Sequence, residues 1–206
     1  MIKLVYEILF KRYGPQYWWP AETLDEILIG AILTQNTAWK NVEKAIQNLK
    51  ENNVLTLSNI SNLPTSDLEN IIKPAGFYKV KSRYLKSFAV NMKGKNIKDM
   101  NLAKARKFLL KIVGIGPETA DTILLYGYQK PVFVIDAYTR RICSRIGICN
   151  TDISYSKLQS LFLKSLPLKT SLFNEYHALL VKHAKVCCRS KPLCENCNLK
   201  SYCKMI

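Results

Sequence analysis

An all-α fold is what this sequence predicts, and three observations carry that expectation. Apolar residues return at the three- and four-residue spacing of amphipathic helices along most of the chain. The breaks between these stretches are short, at Asn52-Asn53, Pro64, Pro74-Ala75-Gly76 and Gly94. Pro131 to Ile135 alone has the β-branched and aromatic make-up of a strand, and no second run stands ready to pair with it.

The first periodic stretch opens at Thr23, where Thr23 and Glu26 have the spacing of a capping box and Leu24, Ile27, Leu28, Ala31 and Ile32 share a face. Trp39, Val42, Ile46 and Leu49 make a second stripe, Val80, Tyr84, Phe88 and Met92 a third, and Leu102, Ala105, Leu109 and Ile112 a fourth. Further helices are expected around Ala120 to Leu125, Tyr138 to Ile146, Leu158 to Leu166 and Leu172 to His183. The strand-like run is read as an extended, buried connector into the next helix, with Asp136 as that helix's N-cap. His177 and His183 fall on a predicted helix and are assigned packing or helix C-terminal roles, with no part in catalysis.

With 206 residues, 48% hydrophobic and 22% charged, the chain has room for one large domain or two small ones around a real core. Thirty-one Lys and Arg stand against fifteen Asp and Glu, a formal charge of +16 that favours an anionic partner held by counterion release. Nucleic acid leads, and an acidic membrane surface stays open on charge alone. No stretch approaches the roughly 20 apolar residues of a membrane span. The start MIKLVYEILFKRY lacks a signal peptide's long apolar run and cleavage site, so a cytosolic location is expected.

Cys187, Cys194, Cys197 and Cys203 follow the spacing C-x6-C-x2-C-x5-C. In a reducing compartment thiols so close fit a metal centre better than disulfides, and on ligand chemistry zinc and a 4Fe-4S cluster stand nearly level. Cys188 competes with Cys187 for the first ligand position, while Cys143 and Cys149 read as helix-packing thiols.

The segment LKIVGIGPETAD, Leu110 to Asp121, sets Gly114 and Gly116 between two predicted helices, where both are expected to allow a tight turn with positive φ. Pro117 suits a first helical turn, so backbone N–H groups there would point at an anion. Gly114, Gly116, Pro117 and Thr119 are therefore candidate phosphate contacts, against the plainer reading of a structural αα-hairpin. Asp136 follows Glu118 by eighteen residues. Trp18-Trp19-Pro20 and Leu33 to Trp39, LTQNTAW, offer indole faces for base stacking, in competition with simple core packing.

The hairpin and its following aspartate resemble the helix-hairpin-helix DNA glycosylase superfamily, and the cysteine spacing resembles the cluster loop of its endonuclease III members. The resemblance runs from about Tyr13 to Cys203 and includes Gly76 to Arg83. It implies a two-domain fold: a six-helix barrel over residues 22–133, and a second helical domain from residues 1–21 and 134–206 that holds the cluster. It also implies double-stranded DNA as partner, and a 4Fe-4S cluster on Cys187, Cys194, Cys197 and Cys203 with Arg189 and Lys191 of that loop facing phosphates. Asp136 matches the essential aspartate. Breaking an N-glycosidic bond builds positive charge on the sugar, which a carboxylate stabilises while it orients or deprotonates water.

Glu118 stands where the bifunctional members carry a lysine that forms a Schiff base with the sugar. A glutamate cannot do so, which implies a glycosylase without efficient lyase activity and a pocket role for Glu118. The W-W-P and L-T-Q-N-T-x-aromatic motifs are similar to those of the 3-methyladenine glycosylases of the endonuclease III type. On that resemblance Trp19, Pro20 and Trp39 wall the base pocket with Trp18 nearby, and Gln35 fills the gap left by the flipped base. The four cysteines depart from that group. The expected function is a monomeric, monofunctional glycosylase for an alkylated purine. An oxidised-pyrimidine or mismatch glycosylase with lyase activity, and a non-catalytic DNA-binding module, are the competing readings.

Overall fold

A computed structural model describes residues 1–204. Its helices, in order, are α1 (Ile2–Tyr13), α2 (Leu24–Leu33), α3 (Trp39–Glu51), α4 (Leu57–Asn62), α5 (Thr65–Ile71), α6 (Tyr78–Met92), α7 (Leu102–Leu109), α8 (Pro117–Thr122), α9 (Ala137–Arg145), α10 (Tyr155–Ser165) and α11 (Thr170–Val186). There is no β-strand among the described residues. The chain divides into two compact units, Trp19–Tyr128 and Met1–Trp18 with Gln129–Ile206.

In the unit Trp19–Tyr128, α2 is the central helix, because Leu28 to Leu33 form an unbroken buried run and so leave no polar face. Thr23 caps it as expected, its Oγ1 accepting the Glu26 N–H at 3.1 Å. The other half of the capping box differs: the Glu26 carboxylate accepts the Glu22 N–H at 3.1 Å and pairs with Lys50 at 3.1 Å, so the ion pair outcompetes the return bond. α7 stops at Leu109 instead of reaching Ile112, because Leu110 to Ile112 turn tightly into the glycine hairpin. α4 and α5 are short helices in a stretch the periodicity passed over, each carrying one buried apolar residue, Ile60 and Leu68. After α8 the chain continues into a single π-type turn over Ile123–Gly127. Buried Lys81 of α6 knits this unit together where apolar packing does not. Its Nζ donates to Leu33 O at 2.7 Å, Ala75 O at 2.9 Å and Thr37 Oγ1 at 2.5 Å, and burial pulls the amine down to about 8.

In the unit Met1–Trp18 with Gln129–Ile206, α1 packs on α10 and α11, and α11 on α9. Phe133, Phe162, Phe173 and Tyr176 form its aromatic core, and the Tyr176 hydroxyl donates to Ile2 O at 2.7 Å. α1 buries Ile2, Val5 and Leu9, a helical stripe that the sequence analysis left unread. Residues 131–136 are neither strand nor helix, and Val132 to Ile135 are buried. Side chains of α10 take the place of a partner strand: Gln159 Nε2 donates to Phe133 O at 2.7 Å, and the Tyr155 hydroxyl accepts the Ile135 N–H at 3.4 Å.

Candidate active site and metal centre

The glycine hairpin lies in the unit Trp19–Tyr128. Gly114 has φ +85°, and a Cβ there would meet the Tyr84 ring at 2.2 Å, so the turn needs glycine twice over. Gly116 differs from expectation. Its φ is −85° with ψ 177°, and it serves as the extended N-cap of α8 with Pro117 as the first helical residue. The tight turn is completed by one left-handed glycine, and a Cβ at Gly116 would meet nothing within 4 Å. The hairpin is braced from behind by a two-pronged pair, Arg106 Nε to Asp121 Oδ1 at 2.7 Å and Nη2 to Oδ2 at 3.2 Å. Gln35 is tied to the same hairpin, its amide donating to Gly114 O at 2.9 Å and to Thr119 Oγ1 at 3.0 Å. Gln35, Gly114, Gly116, Glu118, Thr119 and Lys111 thus line one open groove of about 620 Å3.

Trp19, Pro20 and Trp39 come together in a second cavity of the same unit, about 190 Å3, completed by Glu26, Gly30, Glu43 and Lys50. The absence of a Cβ at Gly30 is what lets the Trp19 ring lie on α2, since one would stand 3.2 Å from Cζ2. The two indoles meet edge to face, ring centres 5.1 Å apart at 89°, and the Trp39 Nε1–H donates to Glu43 at 2.7 Å. At that separation nothing sits between the rings; an incoming ring would stack on an indole face from the cavity side. Trp18 belongs to the other unit, where Lys185 Nζ lies 6.0 Å from its ring centre.

Asp136, in the unit with both chain ends, caps α9 as expected, its Oδ1 accepting the Thr139 N–H at 2.6 Å. Its other oxygen, Oδ2, faces His177 Nε2 of α11 at 3.4 Å, and the two side chains are only 12% and 8% exposed. Burial pushes the carboxyl up, but the facing His177 imidazole and the Thr139 N–H outweigh it, leaving it below the ordinary carboxylate range. The carboxylate is therefore anionic at neutral pH.

In the same unit Cys187, Cys194, Cys197 and Cys203 line one small apolar cavity of about 60 Å3, together with His183. The ligand atoms of Cys187, Cys197 and His183 lie within 4.8 Å of one another. His183 is fully buried, Nδ1 sharing a 3.0 Å hydrogen bond with the Tyr13 hydroxyl and Nε2 standing 3.7 Å from Cys197 Sγ. All seven cysteines are free thiols. Cys188 lines the same cavity, its carbonyl accepting from Arg141 and its sulfur from Arg145. From Cys188 to Lys204 only Leu199 is buried, so apolar packing alone does not hold the loop.

A family model described as HhH-GPD superfamily base excision DNA repair protein matches residues 29–168. The chain belongs to this superfamily. A protein of Methanocaldococcus jannaschii named as a candidate DNA repair glycosylase is 47% identical, with 98% of this chain and 96% of that one covered. Endonuclease III of Sulfolobus acidocaldarius is 32% identical over 86% of this chain and 80% of its own. Among solved structures, a non-covalent endonuclease III–DNA complex has the same fold, with TM-score 0.86, 22% identity and 98% and 94% of the chains covered. A 3-methyladenine DNA glycosylase of H. pylori, bound to 1,N6-ethenoadenine, gives TM-score 0.75 at 28% identity, covering 89% of this chain and 96% of that one.

As an HhH-GPD protein the chain is a DNA repair glycosylase, and the all-α expectation and the family resemblance both hold. The structure gathers Gln35, Glu118 and the hairpin in one groove, Trp19, Pro20 and Trp39 in another, and the four cysteines around a third. Arg189 is exposed, its Nε donating to Lys185 O at 2.8 Å, and Lys191 is exposed beside it. The sequence analysis gave His177 and His183 packing or helix-end roles; neither a helical period nor spacing shows that His177 faces Asp136 or that His183 lies beside Cys197. It missed Phe77, 69% exposed with φ +45° on the turn that Lys81 and Thr37 tie to the Gln35 turn. An aromatic residue after Gly76, at a bend between helices, was the available signal.

Proposed function

We propose that this superfamily member is a monofunctional glycosylase that takes an alkylated purine out of duplex DNA and hydrolyses its N-glycosidic bond, leaving an abasic site. The cavity of Trp19, Pro20 and Trp39 carries the reading. Indole faces beside the Glu43 and Glu26 carboxylates suit a flat, electron-poor, positively charged ring. The likeness to the H. pylori 3-methyladenine glycosylase supports the same substrate class.

An N-alkylated purine already carries positive charge, so it departs as a neutral base without a strong general acid. What remains is to stabilise the cationic sugar and direct a water to it, and the anionic Asp136 suits both tasks. Glu118, in the hairpin groove, cannot form the Schiff base that strand cleavage would require. Hairpin N–H groups, with Arg189 and Lys191, serve as phosphate contacts, while Gln35 and Phe77 fill the space the base vacates. The proposed barrel is the unit Trp19–Tyr128 and the proposed cluster domain the unit Met1–Trp18 with Gln129–Ile206, boundaries a few residues from the expected 22–133 and 1–21 with 134–206.

The four thiols, lining one apolar cavity beneath a loop with little packing of its own, fit a 4Fe-4S cluster held by Cys187, Cys194, Cys197 and Cys203. Bound there, it would brace the loop and take no part in bond cleavage. The protein acts as a monomer in the cytosol on this reading. No helix among the described residues is long and apolar enough to cross a membrane.

Incubation of the protein with methylated duplex DNA and, in parallel, with oxidised duplex DNA, followed by chromatography of the freed bases, tests the proposal. Release of 3-methyladenine is expected; release only of oxidised pyrimidines would refute it. One observation favours the lyase reading, because Lys111 lines the hairpin groove with Glu118. A borohydride-trapped DNA adduct that disappears in Lys111→Ala would establish that alternative.

A further inference from the structure

We propose that His177 is the positioning residue of the catalytic carboxylate, fixing the rotation of Asp136; this rests on the reading of Asp136 given above. Asp136 does two jobs at once. One oxygen, Oδ1, is committed to the helix as the acceptor of the Thr139 N–H at 2.6 Å. That bond alone leaves the plane of the carboxylate free to turn, because one contact fixes a point and not an orientation. The second oxygen, Oδ2, is the one available to chemistry, and His177 Nε2 approaches it at 3.4 Å. Two anchors from two helices, the start of α9 and the middle of α11, define the plane. The ring donates in either the imidazolium form or the neutral form protonated on Nε2, so the contact does not depend on a particular charge on the histidine.

The approach is long for a closed hydrogen bond, and that suits a temporary partner. A tight bond would bury the reactive lone pairs; a contact at 3.4 Å orients the oxygen and leaves it able to turn its charge toward a sugar. The neighbouring groups on α9, α10 and α11 are engaged elsewhere or uncharged. On α9 the Cys143 thiol lies near Asp136, and burial pushes it up so that it stays uncharged. Arg140, on the same helix, turns away to donate to Ile153 O. From α10 the Tyr155 hydroxyl is engaged with the Ile135 amide. From α11 the neighbouring Tyr176 reaches Ile2 O. Burial opposes the charged carboxylate, and His177 is the largest influence that opposes burial.

The test compares wild type, His177→Leu, His177→Gln and Asp136→Asn in single-turnover base release across pH 4.5 to 8. Loss of the donor in His177→Leu is expected to slow release roughly tenfold, the effect of one charge-assisted hydrogen bond. It also moves the acid limb of the profile to higher pH, as the carboxyl climbs toward its burial-driven value. His177→Gln, which keeps a donor, recovers most of the rate. Binding to duplex carrying an uncleavable abasic analogue stays within twofold for all three variants. A His177→Leu protein with wild-type rate and an unmoved acid limb overturns the inference. Inactivity of Asp136→Asn alongside that result shows that the glycosylase reading itself survives. Full activity of Asp136→Asn would instead overturn both. A readout that needs no lesion is the thermal-unfolding cycle of Asp136→Ala with His177→Leu, each of which removes one side of the contact: coupled midpoints support it, and strictly additive shifts refute it.

Discussion

Replacing Gly114 by alanine tests the hairpin at its most constrained point. The residue sits at φ +85°, where an L side chain is strained, and the new Cβ would stand 2.2 to 2.5 Å from the Tyr84 ring, closer than real atoms approach. The strained backbone costs about 1–2 kcal/mol. Moving the half-buried ring adds about 1–3 kcal/mol of the kind measured for overpacked sites. Together these come to roughly 2–5 kcal/mol, a midpoint lower by about 4–20 °C at this chain length. Gly116→Ala is the internal control, since φ is −85° and nothing lies within 4 Å of the added carbon. It should leave the melting midpoint within about 2 °C, while weakening binding to duplex DNA if the hairpin amides meet phosphates. Differential scanning calorimetry on the three proteins decides it. A Gly114→Ala protein that melts with wild type, or a Gly116→Ala protein that falls as far, would refute the geometry described for the turn.

Lys81→Met leaves Leu33 O, Ala75 O and Thr37 Oγ1 without their shared donor, and chemical denaturation should show a loss of about 2–4 kcal/mol. Burial holds the folded amine at about 8, below its unfolded value, so the unfolded chain binds the extra proton above that pH. This group therefore makes stability rise as pH climbs from about 8 towards the unfolded value, and the rise should vanish in Lys81→Met. Glu118→Lys puts an amine in the hairpin groove, and a borohydride-trapped adduct absent from wild type is the expected gain. Cys197→Ser should abolish iron content and expose the loop from Cys188 to Lys204 to limited proteolysis while α11 remains protected, as shown by mass spectrometry of the fragments.

Much of this architecture is local and was therefore legible. Thr23 and Asp136 announce helix starts because capping needs only residues a turn apart. The connector at Val132 to Ile135 also reads correctly as buried and unpaired, although the side chains that satisfy it, Gln159 and Tyr155, are found only in three dimensions. Gly116 misled because glycine was taken to mean positive φ, whereas Gly114 alone bends the turn. α4 and α5 escaped because a helix with a single buried residue has no period to detect. The candidate site divides the same way. Its glycines, cysteines and indoles cluster in sequence, but His177 reaches Asp136 across 41 positions and Gln35 reaches Thr119 across 84. Such pairings are products of the fold, and no local pattern encodes them.

Asp136 is the group proposed to meet the sugar's developing charge. Asp136→Asn keeps the size of the side chain and an acceptor for the Thr139 N–H, and so spares the cap. Single-turnover release of the damaged base at neutral pH, with affinity for abasic-analogue DNA measured alongside, tests the claim most directly. Loss of about a hundredfold or more in rate with affinity retained is the predicted result. A variant that frees the base as fast as wild type would contradict it.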